Sequence, residues 1–406
     1  MSLIVQKFGG SSVANLERIQ NVARIVADTK AKGHQVVVVV SAMLGETDRW
    51  IELARHLSAE NDREYDALIA TGEQVSAALL SLALTGLGYP AASYNGTQIR
   101  ILTTDEHKKA RILNIETEAL QAELAASRIP VITGFQGVTE AGAITTLGRG
   151  GSDLTAVAIA AALDADECEI YTDVDGVYTS DPRIVPDARR LSRVEFGEMM
   201  EMASLGAKVL QNRCLEFAGK YKVPVRVLSS LQAGGGTLVD FEEKLPQEPL
   251  VSGVALDRNQ AKITLQGIPE RPGLASYILG PLSQRGIEVD MIVQNLPSAE
   301  GLIDFSFTVN RDDYEATQQL MQAVAQEVSA QGVVASATVA KLSLVGVGMR
   351  SHASVASTMF SALGREGIDI YLITSSEIKI STLIDDKFAE MGARVLHQAF
   401  KLSLCA

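Results

Sequence analysis

Residues 3–13 read LIVQKFGGSSV, an apolar run that ends in a lysine, two glycines and two serines. Two interpretations of this stretch are open. In the first, the glycines allow a tight turn and one of the serines caps the helix that follows. In the second, successive backbone N–H groups form an anion site at the start of that helix. Lys7 would then neutralise charge on a phosphoryl group.

Composition limits the class of protein. A chain of 406 residues is too long for one ordinary core, so we expect two or three domains. The chain is 47% hydrophobic but only 5% aromatic, as an aliphatic-rich α/β protein would be. The formal net charge of -13 argues against nucleic acid as a partner, because a phosphate backbone is bound by clustered Lys and Arg.

The cysteines and histidines form no metal motif. Cys168, Cys214 and Cys405 are far apart and the five histidines are scattered singly, so we expect reduced thiols and no zinc spacing. SLIV at the N-terminus is too short for a signal peptide, and no apolar run is expected to reach membrane-spanning length. The expected compartment is the cytoplasm, with no membrane partner.

Strand-like and helix-like segments alternate over the first 230 residues. The strand-like runs are LIVQKF (3–8), HQVVVVVSAM (34–43), PVITGF (130–135), ECEIYTDV (167–174) and VPVRVLSS (223–230). The helix-like segments are 13–32, 47–58, 62–85, 150–165 and 195–219. This alternation predicts an α/β fold with a mainly parallel sheet sandwiched by helices. Ligands of such sheets lie at the carboxyl ends of the strands, which is where the glycine and hydroxyl clusters fall.

The C-terminal part contains a weak internal repeat. Composition changes at 232–249, which is rich in Gly, Pro and charge, and beyond it residues 261–295 align with 340–376. Both copies follow a β-α-β-β-α-β pattern, which predicts two small ferredoxin-like modules. The predicted domains are 1–245, 250–338 and 339–406.

The motifs eliminate several nucleotide-binding classes. GxxxxGK[ST] is absent, and so are HRD and DFG, so neither a P-loop enzyme nor a protein kinase is indicated. RGGSD at 149–153 repeats the pattern of the first stretch, with a glycine pair, a hydroxyl and a helix start. Two such clusters in one sheet favour a phosphate site over two ordinary turns.

Two further segments have two interpretations each. YTDVDGVYTSDPR (171–183) is dense in Asp, Thr and Tyr and could be a β-turn, nucleotide contacts, or both. ASLGAKVLQNR (203–213) places Lys208 just inside a helix, as surface decoration or as a second phosphate lysine.

Six motifs in this order carry a family resemblance. KFGGSSV, SAMLGET, TGEQVS, TLGRGGSD, YTDVDGVYTSDPR and GAKVL resemble the aspartate kinases of the amino acid kinase family. The C-terminal part is similar to the paired ACT modules of these enzymes, so the resemblance covers essentially the whole chain. SAMLGETD departs locally from the SAMGxTTD that many members have, although Thr47 and Asp48 still match.

The resemblance implies a reaction as well as a fold. The γ-phosphoryl group of MgATP would pass to the side-chain carboxylate of L-aspartate, giving 4-phospho-L-aspartate at the start of lysine, threonine and methionine biosynthesis. A carboxylate with a reference pKa of ~3.9 is already ionised at neutral pH and needs no general base. Catalysis would consist of positioning and charge neutralisation. Mg²⁺ would be carried mainly by the phosphates, so no protein ligand is named.

The resemblance also implies roles for single residues. Lys7 would stabilise the phosphoryl group in transit, Asp153 would orient Lys7, and Lys208 would be a second cation. Arg149 would take the α-carboxylate of the substrate and Glu73 its α-ammonium. The residues implied for ATP are Lys7, Phe8, Gly9, Gly10, Ser41, Thr172, Asp173, Tyr178, Asp181, Pro182, Arg183 and Lys208. Those implied for aspartate are Ser41, Thr47, Glu73, Arg149, Gly150, Gly151, Ser152 and Asp153. As an alternative, Ser12, Thr71 and Ser152 could be helix caps.

The ACT modules imply regulation by lysine, threonine or both. The residues implied for the effector are Glu270, Gly273, Ala275, Asp290, Gln294, Asn295, His352 and Glu377. Free β-edges on such modules predict a homo-oligomer.

Two alternative functions stay open. One is another amino acid kinase, which would act on glutamate, acetylglutamate, a carbamate or a nucleotide. The other is a non-catalytic amino-acid sensor. Glu73 with Arg149 favours a zwitterionic substrate, whereas retention of Lys7, Asp153 and Lys208 speaks against the sensor.

Overall fold

The computed structural model describes residues 1–57, 61–205, 209–241, 250–347, 349 and 353–403. They fall into two compact units. The first comprises Met1–Val177 and Arg190–Lys244, and the second comprises Tyr178–Arg189 and Leu245–Ala406. The second unit therefore consists of two separate parts of the chain, a twelve-residue segment and the C-terminal part.

The first unit is built on an eight-stranded sheet. Its strands are β1 (Leu3–Phe8), β2 (Gln35–Val40), β3 (Ala91–Tyr94), β6 (Ile129–Thr133), β9 (Glu167–Thr172), β10 (Arg193–Glu195), β11 (Val225–Ser229) and β12 (Thr237–Asp240). They lie in the order β10-β12-β11-β9-β1-β2-β6-β3, and only β11 and β12 pair antiparallel. All five valines of β2 are fully buried, as expected of a central strand covered on both faces. The predicted fold class is confirmed.

A smaller sheet in the same unit has no counterpart in the sequence prediction. It contains β4 (Ile101–Thr103), β5 (Ile112–Ile115), β7 (Gln136–Val138) and β8 (Ile144–Thr146), in the order β5-β4-β7-β8. These strands have three or four residues each, too few to show a clear period-two pattern. Their importance is positional, because β8 leads directly into the RGGSD motif.

Eight helices belong to the first unit among its described residues. They are α1 (Leu16–Ala31), α2 (Glu46–Leu57), α3 (Asp62–Ile69), α4 (Thr71–Gly86), α5 (Glu118–Ala125), α6 (Gly151–Ala162), α7 (Phe196–Ser204) and α8 (Asn212–Tyr221). The first begins three residues later than predicted, because the side chain of Asn15 caps it by accepting from the Arg18 N–H (3.0 Å). Ser12 is not a cap, since its hydroxyl lies 2.7 Å from that of Ser230.

The helical stretch Asp62–Gly86 is apolar over more of its length than the sequence prediction allowed. It is 25 residues long and, among the described residues, apolar enough to cross a membrane by length and composition. Half of its most apolar 18-residue segment is buried inside the unit, where Leu80 and Leu84 are fully covered. The expectation that no run reaches this length was wrong, but the burial is typical of a core helix.

The second unit contains a six-stranded antiparallel sheet with helices. The strands are β13 (Gly253–Pro269), β14 (Val289–Gln294), β15 (Leu302–Val309), β16 (Gly332–Val345), β17 (Leu372–Ser375) and β18 (Lys379–Asp385), in the order β14-β15-β13-β16-β18-β17. The helices are α9 (Leu274–Gln284), α10 (Tyr314–Glu327), α11 (Ala353–Arg365) and α12 (Ala389–Ala399). Its two larger hydrophobic clusters belong one to each predicted module, and a smaller cluster of Met291, Val339, Leu372 and Leu383 draws residues from both.

The two long strands join the modules. Residues 262–266 of β13 pair with 332–336 of β16, whereas residues 253–257 of β13 pair with 341–345. The first five residues of β13 therefore pair with the strand of the second module, although they lie at the start of the range predicted for the first module. A long-range ladder of this kind leaves no local sequence signal.

The segment Tyr178–Arg189 is anchored inside the second unit. The Val254 N–H donates to the Thr179 carbonyl (2.7 Å), and the Thr179 hydroxyl lies 2.9 Å from Nε2 of His397 on α12. Val185 is buried in the same cluster as Leu396. This part of the YTDVDGVYTSDPR motif thus packs with the ACT-like modules.

Candidate active site

A cleft of about 370 Å³ opens in the first unit, at the carboxyl ends of β1 and β2 and the start of α6. It is lined by Lys7, Gly10, Ser41, Ala42, Met43, Leu44, Gly45, Thr47, Asp48, Glu73, Phe135, Gly148, Arg149, Gly150, Gly151, Ser152, Asp153 and Gln211. Residues more than 140 positions apart in sequence are brought together here. The rule that ligand residues gather at the carboxyl edge of a parallel sheet explains why.

Lys7 and Asp153 form the ion pair at the centre of this cleft. Lys7 is the fifth residue of β1, Asp153 lies in the first turn of α6, and Nζ is 2.6 Å from Oδ1. The two side chains are 10% and 13% exposed, so water screens the pair little. An acidic residue in the first helical turn is also favoured by the helix dipole. The pair holds an ammonium group at the mouth of the first glycine loop.

The first glycine loop differs in one respect from the prediction. The Gly9 N–H donates to the Tyr171 carbonyl (3.2 Å), so it extends the β1–β9 ladder and is not free for a phosphate. Gly10 lines the cleft, and a Cβ there would sit 3.0 Å from the Ala42 carbonyl oxygen. The Phe8 side chain is fully buried and stacks on Tyr171, with ring centroids 4.6 Å apart. Its ring belongs to the core and not to the cleft.

Glu73 is a buried carboxylate with one oxygen unused. It lies in the first turn of α4, is 3% exposed, and accepts from the Ala42 N–H through Oε1 (3.0 Å). Oε2 is buried and has no hydrogen-bond partner among the described residues. Burial raises the pKa of this carboxyl to about 7, against the Ala42 and Glu73 N–H groups, which lower it. A cationic ligand group would satisfy this oxygen and stabilise its charge.

The second glycine loop presents Arg149. Gly148 and Gly150 have φ values of 76° and 74°, in the left-handed region that favours glycine. A Cβ at Gly150 would lie 2.3 Å from Cγ of Gln211, so no side chain fits there. Arg149 is exposed and has no hydrogen-bond or ion-pair partner within the part of the chain that the structure describes. Its guanidinium is available to an anionic ligand group.

Ser152 and Thr71 are not helix caps. Ser152 is buried and is the second residue of α6, whose N-cap is Gly150 with no side-chain cap hydrogen bond. Thr71 donates to the Leu68 carbonyl (2.7 Å), and the cap position of its helix is Ala70. The alternative that these residues are caps was wrong, because glycine and alanine occupy the cap positions.

The residues implied for ATP are divided between the two units. Thr172 and Asp173 follow β9 in the first unit, with the Thr172 hydroxyl donating to Asp173 (3.0 Å). Four more residues implied for ATP belong to the segment within the second unit, namely Tyr178, Asp181, Pro182 and Arg183. The Arg183 guanidinium lies 2.7 Å from the Asp181 carboxylate and lowers its pKa. Lys208 lies outside the described residues.

The residues implied for the effector lie in the second unit. Gly273 caps α9 with a φ of 82°, and Asp290 on β14 forms an ion pair with buried Lys341. Both Gly273 and Asp290 are exposed, and so are Glu270, Ala275, Gln294, Asn295 and Glu377. His352 lies outside the described residues. The Asp290 carboxylate thus already has a protein cation as its partner.

The sequence prediction missed Phe135 and Gln211, which also line the cleft. Phe135 follows β6 by two residues, so its place at the carboxyl edge could have been read from PVITGF. Gln211 packs against Gly150 through tertiary folding alone.

Together, the fold and the cleft define an α/β protein of the amino acid kinase class with C-terminal ACT-like modules. The model of the amino acid kinase family matches residues 2–229, and that of the ACT domain matches residues 342–400.

Similar proteins narrow the class. An aspartate kinase from Pseudomonas putida is 55% identical over 404 residues, which cover 99% of this chain and 98% of that one. The structure of E. coli aspartokinase III in complex with aspartate and ADP (R-state) is 28% identical, with a TM-score of 0.78 over 98% of this chain and 99% of that one. The same enzyme in complex with lysine and aspartate (T-state) has the same identity and coverage and a TM-score of 0.74. The chain belongs to the aspartate kinases of the amino acid kinase family, and it is an ATP-using enzyme.

Replacing Asp153 by Asn tests the ion pair. We expect kcat to fall roughly 10–100-fold, because Lys7 loses the group that holds it in place. The free energy of unfolding should fall by about 1–3 kcal/mol, since a nearly buried ammonium keeps only a neutral partner. Steady-state rates and thermal melting measure the two effects.

The matched control is Asp164→Asn, just past the other end of α6, which should leave both quantities unchanged. An Asp153→Asn enzyme with wild-type kcat would contradict the role of the pair.

Proposed function

We propose that this enzyme transfers the γ-phosphoryl group of ATP to the side-chain carboxylate of L-aspartate, giving 4-phospho-L-aspartate and ADP. The observation that carries the proposal is the combination within one cleft of a phosphate-side cation, Lys7, with Glu73 and Arg149. These last two offer opposite charges to a zwitterionic amino acid. Aspartate and ADP in the E. coli relative support the same assignment. The product would enter lysine, threonine and methionine biosynthesis.

The chemistry needs charge neutralisation more than proton transfer. A carboxylate oxygen of aspartate attacks the γ-phosphorus, a P–O bond forms, and the bond from that phosphorus to the β–γ bridging oxygen breaks. The electron pair of the broken bond leaves with ADP. Because the nucleophile is an anion with a reference pKa of ~3.9, no base is required. The difficulty is the repulsion between the carboxylate and the triphosphate. Lys7 reduces this repulsion, and Asp153 keeps Lys7 in place.

Substrate specificity follows from the two charged groups at the other side of the cleft. The free Oε2 of Glu73 accepts from the α-ammonium group, and Arg149 binds the α-carboxylate through two parallel N–H donors. Ser41, Thr47 and residues 150–152 line the same cleft. A substrate without the amino group would leave a buried carboxylate unpaired, which costs affinity.

ATP is proposed to bind with Mg²⁺ as its MgATP complex. Among the described residues, no group of three or more His, Cys, Asp or Glu could hold a metal ion. An ion that keeps its waters and binds chiefly phosphate oxygens fits such a cleft. The proposed nucleotide contacts are Gly10, Thr172, Asp173, Tyr178, Asp181, Pro182 and Arg183, with Lys208 as a second cation.

The deciding experiment is turnover on different acceptors. Purified enzyme is given ATP with aspartate, glutamate or N-acetylglutamate, ADP release is followed, and hydroxylamine traps any acyl phosphate as a hydroxamate. We expect ADP and hydroxamate with aspartate only. Turnover with glutamate and none with aspartate would refute the proposal. No turnover at all, together with lysine binding, would favour the sensor.

The Glu73 assignment predicts a pH dependence. Because burial raises its pKa to about 7, Glu73 is increasingly protonated below that pH and loses its attraction for the ammonium group. We expect kcat/KM for aspartate to fall about tenfold per pH unit below pH 7, towards the limit of a fully protonated carboxyl. The KM for ATP should stay flat over the same range.

In Glu73→Gln the aspartate kcat/KM should be low and independent of pH between 5.5 and 8. Steady-state kinetics in a constant-ionic-strength buffer series measures both enzymes. A Glu73→Gln profile that still falls below pH 7 would assign the titration to another group.

We further propose feedback inhibition by lysine, threonine or both through the ACT modules, in a homo-oligomer. The ACT match and the lysine-bound state of the E. coli relative support this. A physical route is also at hand, because the segment with Asp181 and Arg183 is held by α12 and by the first residues of β13. An effector that shifts these elements would shift the proposed nucleotide contacts.

Thr179→Val tests this route. The substitution keeps the shape of the side chain but removes its hydrogen bonds to His397 and to the Arg189 N–H. We expect weaker inhibition by the effector, by roughly 5–50-fold in half-inhibitory concentration, with uninhibited kcat unchanged. Rates are measured with lysine and threonine singly and jointly.

Thr338→Val, at an exposed position of β16, is the control and should be inhibited like the wild type. Wild-type inhibition of Thr179→Val would exclude this hydrogen bond from the coupling.

A further inference from the structure

Asp66 is a fully buried carboxylate that the proposed reaction does not use. It lies on α3, is 0% exposed, and accepts hydrogen bonds from two other segments of the chain. From β8, the Thr146 N–H (2.9 Å) and hydroxyl (2.7 Å) donate to it. From the loop before β5, the Lys108 N–H (3.0 Å) and Nδ1 of His107 (2.8 Å) do so, which requires the His107 tautomer protonated at Nδ1.

These contacts fix the exit of β8. Lys108 and Thr146 stand side by side, since the Ala110 N–H donates to the Thr146 carbonyl (3.0 Å). Arg213 of α8 binds a backbone acceptor in the same segment, because its guanidinium donates to the Leu147 carbonyl (2.7 Å). One carboxylate thus holds the Thr146 N–H at this strand end, while one guanidinium holds the carbonyl of the next residue. Buried backbone groups satisfied in this way resist displacement.

The strand end held by Asp66 leads straight to Arg149. Thr146 is separated from Arg149 by Leu147 and Gly148 alone. Gly148 packs so closely that a Cβ there would lie 2.9 Å from the Lys108 carbonyl oxygen. Movement of the Thr146–Lys108 pair would therefore move the start of the second glycine loop, and the arginine with it.

Asp66 is also connected to Glu73 along the chain, through α3 and the start of α4. α3 ends at Ile69 and α4 begins at Thr71, with Ala70 between them in a helical conformation. Glu73 follows Asp66 by seven residues, about two helical turns. The Ala70 carbonyl is also bound by the Gln136 side chain (2.8 Å), which keeps this junction in place. The carboxylate of Asp66 therefore joins the two elements that carry the ammonium-binding and carboxylate-binding groups.

We propose that Asp66 is a positioning residue that sets the spacing between Glu73 and Arg149, and with it the affinity and selectivity for the amino-acid head group of the substrate. The inference rests on the proposed roles of Glu73 and Arg149. It concerns the aspartate side of the cleft, because Lys7 and Gly10 lie on other elements and Asp153 is held on α6 by its own ion pair with Lys7. Loss of the hydrogen bonds to Asp66 should thus weaken aspartate binding and spare ATP.

Asp66→Asn is the first test. The amide keeps the shape but removes the negative charge that strengthens the hydrogen bonds to Oδ2. Its NH₂ group also replaces Oδ1, the acceptor of the Thr146 hydroxyl. We expect KM for aspartate to rise roughly tenfold or more, which a change of about 1.4 kcal/mol would cause. KM for ATP and kcat should stay within about threefold of the wild type, since neither depends on this spacing. Asp62→Asn, which removes an exposed carboxylate paired with Lys108, is the matched control and should leave KM unchanged.

A milder pair of variants covers the case in which Asp66→Asn does not fold. Thr146→Val removes only the hydroxyl hydrogen bond, and should raise KM for aspartate roughly 2–5-fold. Thr146→Ser restores the hydroxyl and should restore KM. Calorimetric binding of aspartate should follow the same order.

Two results would overturn the proposal while leaving the reaction intact. One is a fall in melting temperature in Asp66→Asn or Thr146→Val with unchanged KM for aspartate. The other is an equal rise in KM for aspartate and ATP. Failure of the wild type to phosphorylate aspartate would instead refute the proposed function, so the two failures are distinguishable.

Discussion

The Lys7–Asp153 ion pair is the interaction on which the active-site arrangement depends. It connects the end of a central strand to the beginning of α6, and therefore the first glycine loop to the second. A nearly buried ammonium is stable only beside a carboxylate, so the geometry of the sheet and helix must keep the two within contact. The same pairing leaves a positive charge at the cleft where a phosphoryl group would pass. Charge stored in this way needs no rearrangement at the moment of reaction.

Much of this could be predicted from the sequence, because the relevant signals are local. QVVVVV predicts a strand buried on both faces, and all five valines are buried. RGGSD before a small-residue helix indicates a helix start with an acidic first turn, which is where Asp153 lies. Parallel strands then place their carboxyl ends on one edge. Lys7, Glu73 and Arg149 were expected together on that basis and the family resemblance, and the structure brings them into one cleft.

The remaining features depend on distant partners and have no local signature. The Gly9 N–H donates to the Tyr171 carbonyl, and four short strands form a second sheet. Asn15 provides the helix cap for which Ser12 was one alternative. Residues 253–257 pair with the strand of a module that begins some eighty residues later. In the sequence, Asp66 looks like an ordinary acidic residue on a helix surface. Only the folded structure surrounds its carboxylate with hydrogen-bond donors. In each case the decisive partner lies far away in sequence, where propensity and periodicity carry no information.

Turnover of Lys7→Ala is the most direct measurement of the central claim. The account predicts that kcat with aspartate and ATP falls by roughly 10³-fold or more, because the only cation named at the transferring phosphoryl group in the described cleft is gone. Aspartate binding by calorimetry should persist, and thermal melting should show a cooperative folded enzyme. A folded Lys7→Ala enzyme with kcat within about tenfold of the wild type would contradict the account, since a loss that small is less than the removal of a single oxyanion-hole donor causes.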